Sequence, residues 1–150
     1  MVMAAPLAVS LGDPAGIAPE LIAEAWAQRE TAGLAPFFVV GGASVLIAAA
    51  QTHGLSVPII PITAPGEASA AFSSGLPVLG DRDCTPSFGA PDRNGAELAL
   101  HSLTLAAALA LAGDAGAIVS GPIAKSRLAT VGFTQPGQTE FVADACGLPH

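Results

Sequence analysis

Apolar and polar positions along the chain fall into two alternating kinds of run. Leu7 to Leu11 is short and nearly continuous, which predicts a buried strand. Ile17 to about Glu30 keeps helical spacing, carries Pro19 in its first turn and meets Gly33 just past its end, which predicts a helix. The alternation then repeats. Phe37 to Val40 predicts a strand buried on both faces, and Ala43 to His53 a helix stopped by Gly54. Val57 to Ile62 predicts a third strand, pushed by Pro58 and Pro61 toward an edge or an irregular course.

Between residues 63 and 93 the pattern changes, and Pro, Gly, Ser and Asp dominate. One short strand candidate, Pro77 to Leu79, lies there, and the stretch has room for a domain crossing or a hairpin. Asn94 then predicts an N-cap for a long helix that runs to about Ala112 and is closed by Gly113. Ala117 to Ser120 reads as a buried strand broken by Gly121-Pro122. Ile123 to Val131 reads as a short helix, 132–137 as a loop, and Thr139 to Cys146 as a last helix capped by Gly147.

Strand following helix in this way predicts an α/β fold, a mostly parallel sheet flanked by helices, with right-handed crossovers. No internal repeat interrupts it. The 150 residues are enough for a domain with its own core. The chain stops just after a helix cap, where the next strand is expected, which suggests a piece of a longer protein.

Composition narrows the function. The formal net charge of −7 argues against a nucleic-acid surface, since such surfaces are basic. Ala96 to Ala112 is rich in Ala and Leu, but it carries Glu97, His101, Ser102 and Thr104 and reads as a buried helix rather than a membrane span. Met1 to Leu11 lacks the basic start of a secretory signal. Cys84 and Cys146 are too few for a disulfide scaffold and read as free thiols of a reducing, cytoplasmic compartment. His53, His101 and His150 show no ligand spacing, so no metal site is expected within these residues.

The candidate chemistry gathers at strand-to-helix junctions. In open α/β sheets ligands sit beyond the carboxyl ends of the strands, and the Gly12 to Gly16 loop lies at such an end. Gly12 and Gly16 allow backbone angles closed to other residues, Asp13 can orient a ligand or cap backbone donors, and the following helix offers N–H groups. The spacing fits a binding loop, and also a tight turn with a capping Asp. It is neither a dinucleotide fingerprint nor a P-loop. Lys125 stands early in the helix after Gly121-Pro122, where the helix dipole disfavours a cation, so it reads either as reaching for an anion or as a solvated lysine. Gln138 and Thr139 stand at the mouth of the last helix. Thr139 there is either an N-cap or, with the helix amides, a phosphate contact.

Four stretches together are more specific than any one: GDPAGIAPE at 12–20, FGAPDRNGAELALHSL at 88–103, VSGPIAK at 119–125 and PGQTEFVAD at 136–144. In this order they resemble the amino-terminal part of the 4-hydroxythreonine-4-phosphate dehydrogenase family of pyridoxal phosphate biosynthesis, whose fold resembles that of isocitrate and isopropylmalate dehydrogenases. The resemblance covers essentially the whole chain. It implies a homodimeric NAD- or NADP-dependent enzyme acting on a phosphorylated small molecule, with a divalent metal (Zn, Mg or Co) and a cleft between two α/β domains. It implies oxidation of the substrate's hydroxyl-bearing carbon, then loss of carbon dioxide to give 3-amino-1-hydroxyacetone phosphate. Residues 1–130 would belong to the first domain and 131–150 would begin the second.

The resemblance assigns Gln138 and Thr139 to substrate binding and places Gly12, Asp13 and Gly16 in a cofactor- or substrate-binding loop at the cleft, and the position of Lys125 early in its helix makes it a further expected substrate contact. The family usually has His where this chain has Gln138, and Gly where it has Ala18. Its metal-binding histidines lie beyond the position of His150. A paralogous dehydrogenase for another phosphorylated four-carbon hydroxy acid, or a non-catalytic phosphate-binding module on the same scaffold, are the competing expectations.

Overall fold

The computed structural model describes residues 4–149, so His150 lies outside the described residues. Five strands form one sheet: β1 (Leu7–Ser10), β2 (Phe37–Val40), β3 (Ile59–Ile62), β4 (Leu76–Leu79) and β5 (Ile118–Ser120). Their order is β3-β4-β2-β1-β5, and every pairing is parallel. The helices are α1 (Ala18–Ala27), α2 (Ala43–Thr52), the short α3 (Ala68–Ala71), α4 (Arg93–Ala112), α5 (Lys125–Ala129) and α6 (Gln138–Ala145). The expected α/β architecture is therefore present, and β3, with its prolines, is an edge strand.

The period-two geometry of a strand sorts the core into two layers. Val9, Phe37, Val39, Leu76 and Val78 point to the face covered by Ile22 and Trp26 of α1 and Leu46 of α2. Ala8, Phe38, Val40 and Leu79 point the other way, toward Ala106 of α4. All four residues of β2 are buried, as its unbroken apolar run requires. Helix α4 is long and apolar enough to cross a membrane, with a mean hydropathy of 1.5. Its Leu98, Ser102, Leu103 and Ala106 are buried instead within this fold.

Several local expectations are corrected. The stretch from 63 to 93 contains no hairpin. It holds a 3-10 turn, α3 and β4, and β4 inserts between β3 and β2, parallel to both. The N-cap of α4 is Asp92, whose carboxylate accepts from the Gly95 amide at 2.7 Å, while Asn94 lies inside the first turn. A carboxylate suits that position better, since it meets both an orphan N–H and the positive end of the helix dipole. The N-cap position of α6 is Gly137, so Thr139 is already helical and caps nothing. Strand β5 is not buried: it is the outer strand beyond β1, and Val119 is 46% exposed.

Candidate functional site

Parallel pairing of β1 with β5 brings their following loops side by side. Ser10 stands opposite Ser120, and the Gly121 amide donates to the Ser10 carbonyl at 3.1 Å. The Asp13 amide then donates to the Pro122 carbonyl at 2.7 Å, which ties the two loops together. Gly12 has φ +74°, and a Cβ there would meet the Pro122 oxygen at 2.6 Å and the Ala18 Cβ at 2.7 Å. Gly121 is equally confined, since a Cβ on it would lie 2.9 Å from that of Ala18 and 3.2 Å from the Gly12 Cα. Both glycines are thus required by close approach of backbone to backbone. Gly16 does not use the left-handed region, contrary to expectation, and its Cβ position is open to within 3.4 Å of Asp13.

The Gly12 loop spends most of its own donors. The Ala15 amide donates to Asp13 Oδ1 at 2.9 Å and the Gly16 amide to the Asp13 carbonyl at 3.1 Å. Asp13 is therefore a turn-capping residue. The loop is roofed by residues 88–92, with the Gly89 amide donating to the Ala15 carbonyl at 2.8 Å. Below it lies a small cleft lined by Asp13, Asp92 and Arg127, and Arg127 is exposed as expected.

Gln138 and Lys125 complete the arrangement. Gln138, the first residue of α6, donates from Nε2 to the Gly121 carbonyl at 3.2 Å, and its buried Oε1 has no hydrogen-bond partner among the described residues. Lys125, the first residue of α5, donates from Nζ to the Pro136 carbonyl at 3.0 Å and is exposed. Thr139 is exposed beside them in sequence. The predicted residues Gly12, Asp13, Lys125 and Gln138 therefore converge on one end of β1 and β5. Gly121, Pro122 and Pro136 join them as backbone partners that the sequence reading, which took Gly121-Pro122 as a break and Pro136 as part of a loop, did not single out. The Gly121-Pro122 break itself was the available signal.

Other reactive groups stand apart. Among the described residues no group of three or more His, Cys, Asp or Glu is placed to hold a metal. Burial, with Asp83 and then Asp92 nearby, pushes the Cys84 thiol above its ordinary value, which disfavours the nucleophilic thiolate. His53 pairs with Glu20 and links the end of α2 to α1.

The fold and this junction define a parallel α/β domain with a candidate site at its strand ends, and comparisons with known proteins are specific. The family model of the pyridoxal phosphate biosynthetic protein PdxA matches residues 33–150. The chain is 56% identical over 145 residues to a 4-hydroxythreonine-4-phosphate dehydrogenase of Erythrobacter litoralis, covering 97% of this chain and 43% of the relative. It is 44% identical to the Zymomonas mobilis protein of the same name, covering 95% of this chain and 42% of that one. A crystal structure of a 4-hydroxythreonine-4-phosphate dehydrogenase from Burkholderia phymatum superposes with a TM-score of 0.84 at 25% identity, covering 99% of this chain and 46% of that one. The chain belongs to the PdxA family. It spans less than half the length of these relatives.

Proposed function

We propose that this chain forms the substrate-binding floor of an NAD(P)-dependent 4-hydroxythreonine-4-phosphate dehydrogenase. The overall reaction removes a hydride from the hydroxyl-bearing carbon and a proton from its hydroxyl oxygen, and the resulting β-keto acid loses carbon dioxide to give 3-amino-1-hydroxyacetone phosphate. The nicotinamide, when bound, takes the hydride. The observation that carries the reading is the convergence of Gly12, Asp13, Gly121, Lys125 and Gln138 at the carboxyl ends of β1 and β5, within a chain of this family.

The space a Gly12 side chain would need is filled by the Pro122 oxygen, so it is no cradle for a dinucleotide phosphate. Nor do the described residues offer a group of three or more His, Cys, Asp or Glu placed to hold a metal. Lys125 brings a positive charge to the cleft beside the 136–139 loop and attracts the substrate's phosphate or carboxylate. The exposed Thr139 hydroxyl supplies a donor and acceptor. Gln138, held by Gly121, presents an amide oxygen to a hydroxyl or ammonium donor. Residues 131–150 begin the second domain in this reading, and the enzyme is a cytoplasmic homodimer.

A chimaera joining this chain to the remaining part of the Erythrobacter litoralis relative tests the proposal. It is expected to reduce NAD or NADP in the presence of 4-hydroxythreonine 4-phosphate. Lys125→Met in that chimaera is expected to raise KM about 10- to 100-fold, the worth of a charge-assisted hydrogen bond of roughly 1.5–3 kcal/mol. A folded chimaera inert toward this substrate would overturn the assignment. Gln138 favours one second reading, a dehydrogenase for another phosphorylated four-carbon hydroxy acid, because the family resemblance puts His there. Oxidation of such an acid in preference to 4-hydroxythreonine 4-phosphate, reversed by Gln138→His, would establish that reading instead.

A further inference from the structure

Among the described residues two buried side-chain oxygens lack a hydrogen-bond partner, Ser10 Oγ and Gln138 Oε1. Both belong to residues that bond to Gly121. The Gly121 amide donates to the Ser10 carbonyl, and the Gly121 carbonyl accepts from Gln138 Nε2. The two side chains also lie on one face of the sheet. By the period of two, Ser10 points with Ala8 toward α4. Helix α6, which begins at Gln138, sits on that face too: its Phe141 packs with Ile118 of β5 against a cluster that includes Leu103 of α4. Ser120, opposite Ser10 on the neighbouring strand, adds a second hydroxyl there. Buried polar groups left without a partner are costly, and the group that commonly satisfies them is an ordered water. Ser10 is 0% exposed, so the space beside it suits a group no larger than water.

We propose that one ordered water beside Gly121 bridges Ser10 Oγ and Gln138 Oε1, and that Ser10 is through it a positioning residue of the strand-end site. The chemistry is complementary. An amide oxygen only accepts, while a hydroxyl donates and accepts, so the water accepts from the Ser10 O–H and donates to Gln138 Oε1. A metal ion fits less well, since hard cations take several oxygen ligands, carboxylates foremost, and here a hydroxyl and an amide stand alone. The Gln138 amide is then held at both ends, Nε2 by Gly121 and Oε1 by the water, and cannot turn over. The other lone pair of Oε1 serves the substrate contact proposed above, and this consequence of the inference rests on that reading.

The test begins without substrate, so that it is read separately from the assigned reaction. A crystal structure of the chain is expected to show one water within hydrogen-bonding distance of both Ser10 Oγ and Gln138 Oε1. Ser10→Ala removes a single atom and keeps the fold. It is expected to shift the Gln138 side-chain amide resonances in NMR spectra and to leave those of Gln135 in place. In the chimaera with the remaining part of the Erythrobacter litoralis relative, Ser10→Ala is expected to raise KM roughly 2- to 10-fold, the worth of one neutral hydrogen bond, with kcat nearly unchanged. The same substitution is expected to add nothing once Gln138 is replaced by Met. A Ser10 hydroxyl bonded to a protein carbonyl, a water on only one of the two atoms, or unmoved Gln138 resonances would overturn the bridge. A Ser10→Ala effect on KM that is equal with and without Gln138→Met would overturn the positioning role.

Discussion

Ser102, midway along α4, holds the end of β1 through the Leu11 amide, which donates to its Oγ at 2.9 Å. The same hydroxyl donates to the Val40 carbonyl at 2.8 Å, so one buried side chain fixes two neighbouring strands just before the Gly12 turn. Ser102→Ala strands a buried N–H and a buried C=O and is expected to cost about 1–3 kcal/mol. Ser10, also fully buried, has a hydroxyl with no partner among the described residues, so Ser10→Ala is expected to cost less than about 1 kcal/mol. Urea unfolding of the two variants should rank them in this order, and the reverse order would contradict the assigned bonds.

The two glycines of the first loop should respond differently to a methyl group. Gly12→Ala forces a left-handed conformation, at roughly 1–2 kcal/mol, and drives a Cβ into the Pro122 oxygen, for about 1–3 kcal/mol more. Gly16→Ala meets nothing closer than 3.4 Å at an ordinary φ and is expected to be neutral or stabilising by up to about 1 kcal/mol. Thermal unfolding distinguishes them, and similar losses in both would mean the loop is held otherwise.

The start of α4 gives a second pairwise test. Asp92→Ala removes the acceptor of the Gly95 amide and is expected to cost about 0.5–2 kcal/mol. Asn94→Ala lies within the helix, where Ala is the better former, and is expected to cost nothing measurable. A larger loss for Asn94→Ala in urea titrations would restore Asn94 as the cap.

Stability should fall on mild acidification because of His101. Burial, and then the nearby Arg82 charge, hold its pKa below the ordinary 6.5. The unfolded chain therefore takes up a proton near that pH while the folded chain does not, and proton uptake favours unfolding. The contribution is complete above about pH 6.5 and is lost as the pH falls below it. His101→Asn is expected to flatten the dependence of the unfolding midpoint on pH between about 7 and 5. An unchanged slope would show that other groups carry it.

The elements were legible because apolar runs and glycine stops are local signals. Pro58 and Pro61 even disclosed that β3 is an edge strand, since a missing N–H cannot serve two neighbours. The strand order was not legible. Nothing within 63–93 reveals that Leu76 to Leu79 slips between β3 and β2, because that choice is made by packing against distant helices. Caps supplied from afar were equally hidden: the Ser44 amide at the start of α2 donates to Asp83, 39 positions on, at 2.8 Å. Of the candidate site, Gly12, Asp13, Lys125 and Gln138 could be named from sequence. Their backbone partners at Gly121, Pro122 and Pro136 could not, since they depend on β1 and β5 lying side by side.

The backbone contact at Gly12 and Gly121 also decides which parts of the cleft can move. Cross-bonded loops on adjacent strands, with no room for a single methyl group between them, form a stiff base that shifts only with the sheet. Helix α6 is held differently: none of its residues is fully buried, and its attachments include the Gln138 bond and Phe141 stacked on Phe133 with ring centres 5.5 Å apart. Helix α6 is thus the less firmly held side of the junction, since Leu128 and Phe133 before it are buried against Ala99 and Leu103 of α4.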